Sequence, residues 1–150
     1  MLAFCEPNYY NMETLLHENF MKEALLEAEQ AAALGEVPVG CVIVKDGEII
    51  ARAHNMVETD KHPLAHAEII AIDEAVKKLG WRLAGCDMYV TLAPRDMCKG
   101  AISWARLEHV YIGTEATKGS DFKPQFVFGI LHEECYNILV SFFKELRNNK

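Results

Sequence analysis

The run Asp87-Met88-Tyr89-Val90-Thr91-Leu92-Ala93-Pro94-Arg95-Asp96-Met97-Cys98 changes character halfway along. Its first six residues have the β-branched, aromatic and apolar composition of a short buried strand. Pro94 then marks the first turn of a helix predicted to run to about Ala105, a position where the missing N–H is harmless. His109 to Gly113 reads as another strand. A strand–helix–strand unit calls for parallel pairing, so this segment predicts an α/β sheet.

The flanking segments extend that unit. Upstream, Ala65 to Leu79 carries Ile69, Ile72, Val76 and Leu79 on one stripe and is stopped by Gly80, which predicts a helix. A polar loop with Asn55, Asp60 and Pro63 precedes it. Before that, Val39–Val44 and Glu48–Ala53 are strand-like runs around Lys45-Asp46-Gly47, a hairpin signal. Phe20, Ala24, Leu25, Ala28 and Ala31 recur at helical spacing over about Asn19–Leu34, with Gly35 placed to cap the end. Downstream, residues 114–125 read as loop, and Leu131–Arg147 as a last amphipathic helix carrying Ile138, Leu139, Phe142, Phe143 and Leu146. The predicted architecture is an α/β three-layer sandwich: a mixed sheet of about five strands with helices on both faces. One domain is expected over residues 1–150, with 1–11 as a loose N-terminal extension.

Composition narrows the function classes. At 150 residues and 51% hydrophobic content, the chain can close one sizeable core. No stretch approaches the roughly 18 apolar residues of a membrane span, and no basic region followed by an apolar run opens the chain, so a cytoplasmic protein without membrane contact is expected. Cys5, Cys41, Cys86, Cys98 and Cys135 are odd in number and widely spaced, as reduced thiols are. The formal charge of −7 excludes a generally polyanion-binding surface. Any nucleic-acid contact needs a local patch, for which Lys118, Lys123, Lys144, Arg147 and Lys150 are the candidates, each better explained as a solvated side chain.

Two short motifs carry chemistry. His66 and Glu68 lie at a helix start, where unpaired N–H groups favour negative charge; capping and solvation are the plain alternative. Residues two apart on a helix point roughly 200° apart, so both are not expected on one metal. Arg95 and Cys98, three apart, share a face, and two cysteines at that spacing would clamp a metal. Here a single thiol remains, and a lone Cys98 is also explained as a small buried hydrophobe.

Together the motifs resemble the H-x-E and P-C-x-x-C signature of zinc nucleobase deaminases, with His66, Glu68, Pro94 and Cys98 matching and Arg95 not. The likeness extends through Glu36-Val37-Pro38-Val39-Gly40, His54-Asn55, Ala65–Ile69, Met88–Leu92, Met97–Ile102 and Gly129-Ile130-Leu131. The chain is identified as a member of the cytidine deaminase superfamily, most similar to the bacterial tRNA-specific adenosine deaminases. That resemblance implies a Zn2+ ion held by His66 and Cys98, Glu68 as proton shuttle, and a base pocket formed by Asn55, Val37 and backbone near Ala67. It also implies a homodimer, for which Trp104, Phe126 and Phe128 are interface candidates, each alternatively core. The substrate class it implies is tRNA or other single-stranded nucleic acid, with a small-molecule nucleobase or nucleoside as the alternative.

Where the resemblance expects glutamate and cysteine, this chain has Ala93 and Arg95. A guanidinium stays protonated and has no lone pair for zinc. Gly113–Gly129 is also shorter than the resemblance expects, which removes part of the loop and helix that shape a tRNA site. Three readings follow: an impaired hydrolase that recruits another third ligand such as Cys86; an inactive relative that binds nucleic acid, nucleoside or a partner protein, with Arg95 paired to Glu68; or a competent scaffold carrying recent changes at 93 and 95.

Overall fold

The computed structural model describes residues 9–115 and 125–149, and its sheet grows from one tight turn. Asp46 and Gly47 take φ of 50° and 78°, the positive values that match a two-residue turn to the twist of its strands. This turn joins β1 (Gly40–Lys45) to β2 (Glu48–His54) as antiparallel neighbours. β3 (Cys86–Leu92) pairs antiparallel with the other side of β1, and β4 (His109–Thr114) pairs parallel with β3. β5 (Gln125–Phe128) pairs parallel with β4, so the strand order is β2-β1-β3-β4-β5.

Side-chain alternation along β3 sorts the two faces. Met88 and Val90 point into a core with Ala67, Ala71 and Ala75 of α3 (Ala67–Leu79) and Ile102 and Ala105 of α4 (Asp96–Ala105). Tyr89 points the other way, into a smaller core with Met21 and Ala24 of α1 (Tyr9–Ala33) and Cys135 of α5 (His132–Asn148). Helices therefore cover both faces of a mixed five-stranded sheet, as expected from the sequence. No described helix is long and apolar enough to cross a membrane.

Four local expectations are corrected. α1 begins at Tyr9, not near Asn19, so residues 9–11 of the expected loose extension are helical; residues 1–8 lie outside the described residues. Met12, Leu15 and Leu16 in its first turns are exposed, so they leave no buried stripe to read. The polar loop after β2 contains a four-residue helix, α2 (Val57–Asp60), with no buried residue and too short to show a period. Gln125, read as loop, opens β5, whose four residues are recruited by pairing with β4. Pro94 precedes α4 rather than lying in its first turn, because Arg95 keeps extended backbone (φ −91°, ψ 178°) as the N-cap and Ala93 N–H still donates to the Thr114 carbonyl at 2.9 Å.

Gly40 sets how closely α1 approaches the sheet. A Cβ there would stand 1.8 Å from the Ala24 carbonyl oxygen and 2.5 Å from the Ala28 nitrogen, both backbone atoms with no freedom to retreat. The Gly40→Ala variant is expected to lose about 3 kcal/mol or more, the upper end of overpacking costs, measured as a lowered urea midpoint or absence of a folding transition. A midpoint within experimental error of the native chain would contradict this packing.

Candidate functional site

One end of the sheet collects the beginning of β1 and the ends of β2 and β3. Gly40 pairs with His54 across the hairpin and donates its N–H to Thr91 Oγ1 at 3.1 Å. Asn55, the residue after β2, donates its N–H to the Val39 carbonyl at 3.1 Å. α3 and α4 both begin at this end, each entered through an N-cap that makes no side-chain capping bond: His66 for α3 and Arg95 for α4.

His66 is not helical. Its extended backbone (φ −78°, ψ 149°) releases its side chain from the helical 3.6-residue period, so the expectation that His66 and Glu68 diverge is wrong. His66, Glu68 in the first turn of α3 and Cys98 in the first turn of α4 each place a ligand atom within 4.8 Å of the others. Among the described residues this is the sole group of three or more His, Cys, Asp or Glu side chains so arranged. Glu68 is 5% and Cys98 1% exposed.

Burial dominates the electrostatics of Glu68 and Cys98. Loss of hydration pushes the Glu68 carboxyl up, against the opposing pull of its own backbone N–H and of the Cys98 thiol. Burial also pushes the Cys98 thiol up, helped by the charge of Glu68 and by the hydrogen bond between them. A buried carboxylate beside a buried thiol whose ionisation it opposes forms a site that gains from a cation. Arg95 does not supply it. Its side chain is exposed, and among the described residues no ion pair joins it to Glu68. The reading that pairs Arg95 with Glu68 is thereby corrected: from the N-cap, the long side chain runs outward to water.

Cys86 is corrected as well. It opens β3, at the end opposite Leu92 and Pro94, and packs in the core; a seven-residue strand puts about 20 Å between its ends. The sulfur that the sequence reading missed is Cys41 of β1, fully buried, whose thiol is pushed well up by burial first and then by the charges of Glu68 and Cys98. Its place one residue after Gly40, on the face that packs against α3, follows only from strand alternation once the sheet is known.

Asn55 is buried, Val37 half-buried and Ala67 buried. The structure adds a residue that sequence reasoning did not single out. The Glu36 carboxylate is buried, accepts the Thr59 N–H at 2.6 Å through Oε1, and accepts from Asn55 Nδ2 at 3.4 Å through Oε2. It thus ties the loop holding Val37 to the loop holding Asn55 and commits the Asn55 amide nitrogen, leaving the Asn55 Oδ1 to face elsewhere. A second buried carboxylate, Glu27 of α1, meets His54 Nδ1 at 2.8 Å and the Arg52 guanidinium at 3.5 Å, and pins the end of β2 just before Asn55. Only the motif Glu36-Val37-Pro38 hinted at the first, and nothing in the sequence pattern at the second.

Of the remaining candidates, Trp104 is 76% and Phe128 42% exposed, which overturns a core role for Trp104. The side chain of Phe126 lies outside the described residues, as do Lys118, Lys123 and Lys150. Lys144 and Arg147 are exposed on α5, across the sheet from the trio.

Comparison with known proteins places this geometry in context. A family model of the cytidine and deoxycytidylate deaminase zinc-binding region matches residues 15–114. The chain is 47% identical over 148 residues to a tRNA-specific adenosine deaminase of Bacillus subtilis, covering 89% of this chain and 92% of that relative. Among solved structures, one from a study of A-to-I editing by tRNA:A34 deaminases at the wobble position of transfer RNA superposes with TM-score 0.76 at 39% identity, covering 81% of this chain and 99% of that one. A guanine deaminase from Bacillus subtilis superposes with TM-score 0.63 at 35% identity, covering 88% and 94%.

Two outcomes test the local physics. Arg95 is a cation at a helix N-terminus with no capping bond, so Arg95→Ser is expected to raise stability by about 1 kcal/mol, read from urea unfolding; an unchanged or lowered value would contradict it. For Glu36, burial raises the carboxyl pKa, but hydrogen bonds from the Thr59 backbone and hydroxyl and the Glu58 backbone, with the charge of His54, hold it net below the ordinary 4.5. A folded-state pKa below the unfolded one contributes stability that is present above the unfolded value and lost as pH falls through the folded value. Unfolding free energy should therefore fall more steeply below about pH 4.5 in the native chain than in Glu36→Gln; parallel acid limbs would contradict the clamp.

Proposed function

This chain belongs to the cytidine and deoxycytidylate deaminase family, and from that premise we propose that it binds an adenosine of transfer RNA and hydrolyses it to inosine, with turnover depressed by Arg95. The convergence of His66, Glu68 and Cys98 within 4.8 Å carries the reading. The sequence likeness to a tRNA-specific adenosine deaminase over nine-tenths of both chains supports the substrate class.

The donors suit the zinc that the family's description implies. Imidazole, thiolate and carboxylate are all zinc ligands, and a catalytic zinc is commonly held by three protein groups with one position left to water. His66 and Cys98 are the two donors this chain keeps for it; when bound, the metal lowers the pKa of a water toward about 7. Water adds at adenine C6 and ammonia leaves. Glu68, buried beside both donors, takes the proton from that water and returns it to the departing nitrogen. Asn55, its amide nitrogen occupied by Glu36, presents its carbonyl oxygen to the base, while Val37 and the backbone at Ala67 line the pocket. Burial of Glu68 and Cys98 keeps bulk water from the proton path. The reading includes a homodimer, for which exposed Trp104 is the anchor.

The likeness to a guanine deaminase favours a second reading, hydrolysis of a free nucleobase. Incubation with an anticodon stem-loop carrying adenosine at the wobble position, and separately with guanine, discriminates them by the product formed. Inosine formation by Arg95→Cys should exceed that of the native chain by at least about a hundredfold, the lower end of what a working proton shuttle supplies. Equal rates would contradict the assignment of Arg95 as the lesion. Loss of inosine formation from both, with stem-loop binding retained, would instead favour a binding protein.

A further inference from the structure

A site that has lost one sulfur donor and kept a buried carboxylate in its place can hold a metal in a different way. We infer that Glu68 is itself the third protein ligand in this chain, making the resting metal site His66–Glu68–Cys98. The inference rests on the metal proposed above but not on the substrate.

Three observations carry it. The three donor atoms already lie within 4.8 Å of one another. Donors at about 2.0–2.3 Å from one zinc ion stand at most about 4.5 Å apart, so small side-chain rotations close the trio on an ion. Arg95 is exposed, makes no ion pair with Glu68 among the described residues and has no lone pair to offer. Among the described residues the other sulfurs do not complete the set: Cys86 lies at the far end of β3, Cys135 packs on the opposite face of the sheet, and Cys41, though close enough to feel Glu68 and Cys98, is absent from the group of converging ligand atoms. A zinc ion with two protein donors and an unsatisfied coordination sphere, next to a buried carboxylate that no ion pair engages among the described residues, takes that carboxylate.

The assignment changes what Glu68 can do. A carboxylate oxygen held by the metal is a weaker base toward an attacking water, so Glu68 must leave the metal to act as the proton shuttle proposed above. Arg95 in place of a ligand thus also hinders the base, and a second sulfur at position 95 would release Glu68 to its catalytic work. Arg95 and Glu68 are coupled through the metal although no ion pair joins them.

A zinc-affinity cycle on the full chain tests this, using zinc alone and a competing chromophoric chelator. Glu68→Gln should weaken zinc binding in the native background by more than about a hundredfold, beyond the 10–100-fold that loss of an outer partner of a ligand costs. In the Arg95→Cys background the same substitution should have little effect, because two sulfurs and His66 complete the set. Unchanged affinity in Glu68→Gln, an equal loss in both backgrounds, or failure of the native chain to bind zinc would each overturn the inference. Cobalt(II) titration of the unmutated chain is independent of whether Glu68→Gln folds. Its sulfur charge-transfer band should have half the intensity of that in Arg95→Cys, whereas equal intensities would overturn the inference. These readouts involve no RNA, so their failure leaves the substrate reading standing, and a failed inosine assay leaves them untouched.

Discussion

The meeting of two helix N-termini at one end of the sheet is the constraint on which the site depends. α3 and α4 both start where β3 ends, and each is entered through a residue in extended backbone, His66 and Arg95. An extended N-cap points its side chain away from the helical period, which lets His66 turn toward Glu68, only two residues on, and toward Cys98 on the neighbouring helix. The unpaired N–H groups and dipoles of both helices favour negative charge there, the environment a carboxylate and a thiolate need when buried. Remove either helix start and the three side chains have no reason to converge.

Everything behind that junction holds it still. Gly40 lets α1 lie against β1 at backbone contact and ties β1 to β3 through Thr91. Glu27 fixes the end of β2 through His54 and Arg52, and Glu36 fixes the next loop through Thr59 and Asn55. Two buried carboxylates thus brace the stretch from the end of β2 to α2. A buried carboxylate is costly unless its oxygens are satisfied, and here the groups that satisfy them are Asn55 itself and residues within four positions of it.

Much of this was legible in the sequence, for identifiable reasons. Asp46-Gly47 announced the hairpin because few other pairs accept two positive φ values, and the apolar repeat Ile69, Ile72, Val76, Leu79 announced α3 as a helix but not its buried face, which is Ala67, Ala71 and Ala75, with Leu79 exposed. Elements that bury little were silent: the first turns of α1, with Met12, Leu15 and Leu16 exposed, the four-residue α2, and β5, whose pairing is not local. The chemistry of His66, Glu68 and Cys98 was legible as residue types at characteristic spacings. Their mutual geometry was not, since treating His66 as helical sent it away from Glu68, and only the N-cap conformation corrects that. Arg95 could be recognised as a non-ligand from its guanidinium alone, but its outward course could not. Glu36 and Cys41 depend on which loops and strands become neighbours, a property of the folded chain.

In the proposed reading Arg95 is the residue around which the chemistry turns: it occupies an N-cap without capping, stands where the family resemblance expects a ligand, and leaves the buried carboxylate as the third donor. The coordination sphere of the zinc-loaded native chain tests this most directly, by X-ray absorption at the zinc edge. The account predicts one sulfur at about 2.3 Å together with nitrogen and oxygen donors at about 2.0–2.2 Å. Two sulfurs in the first sphere of the metal would contradict it.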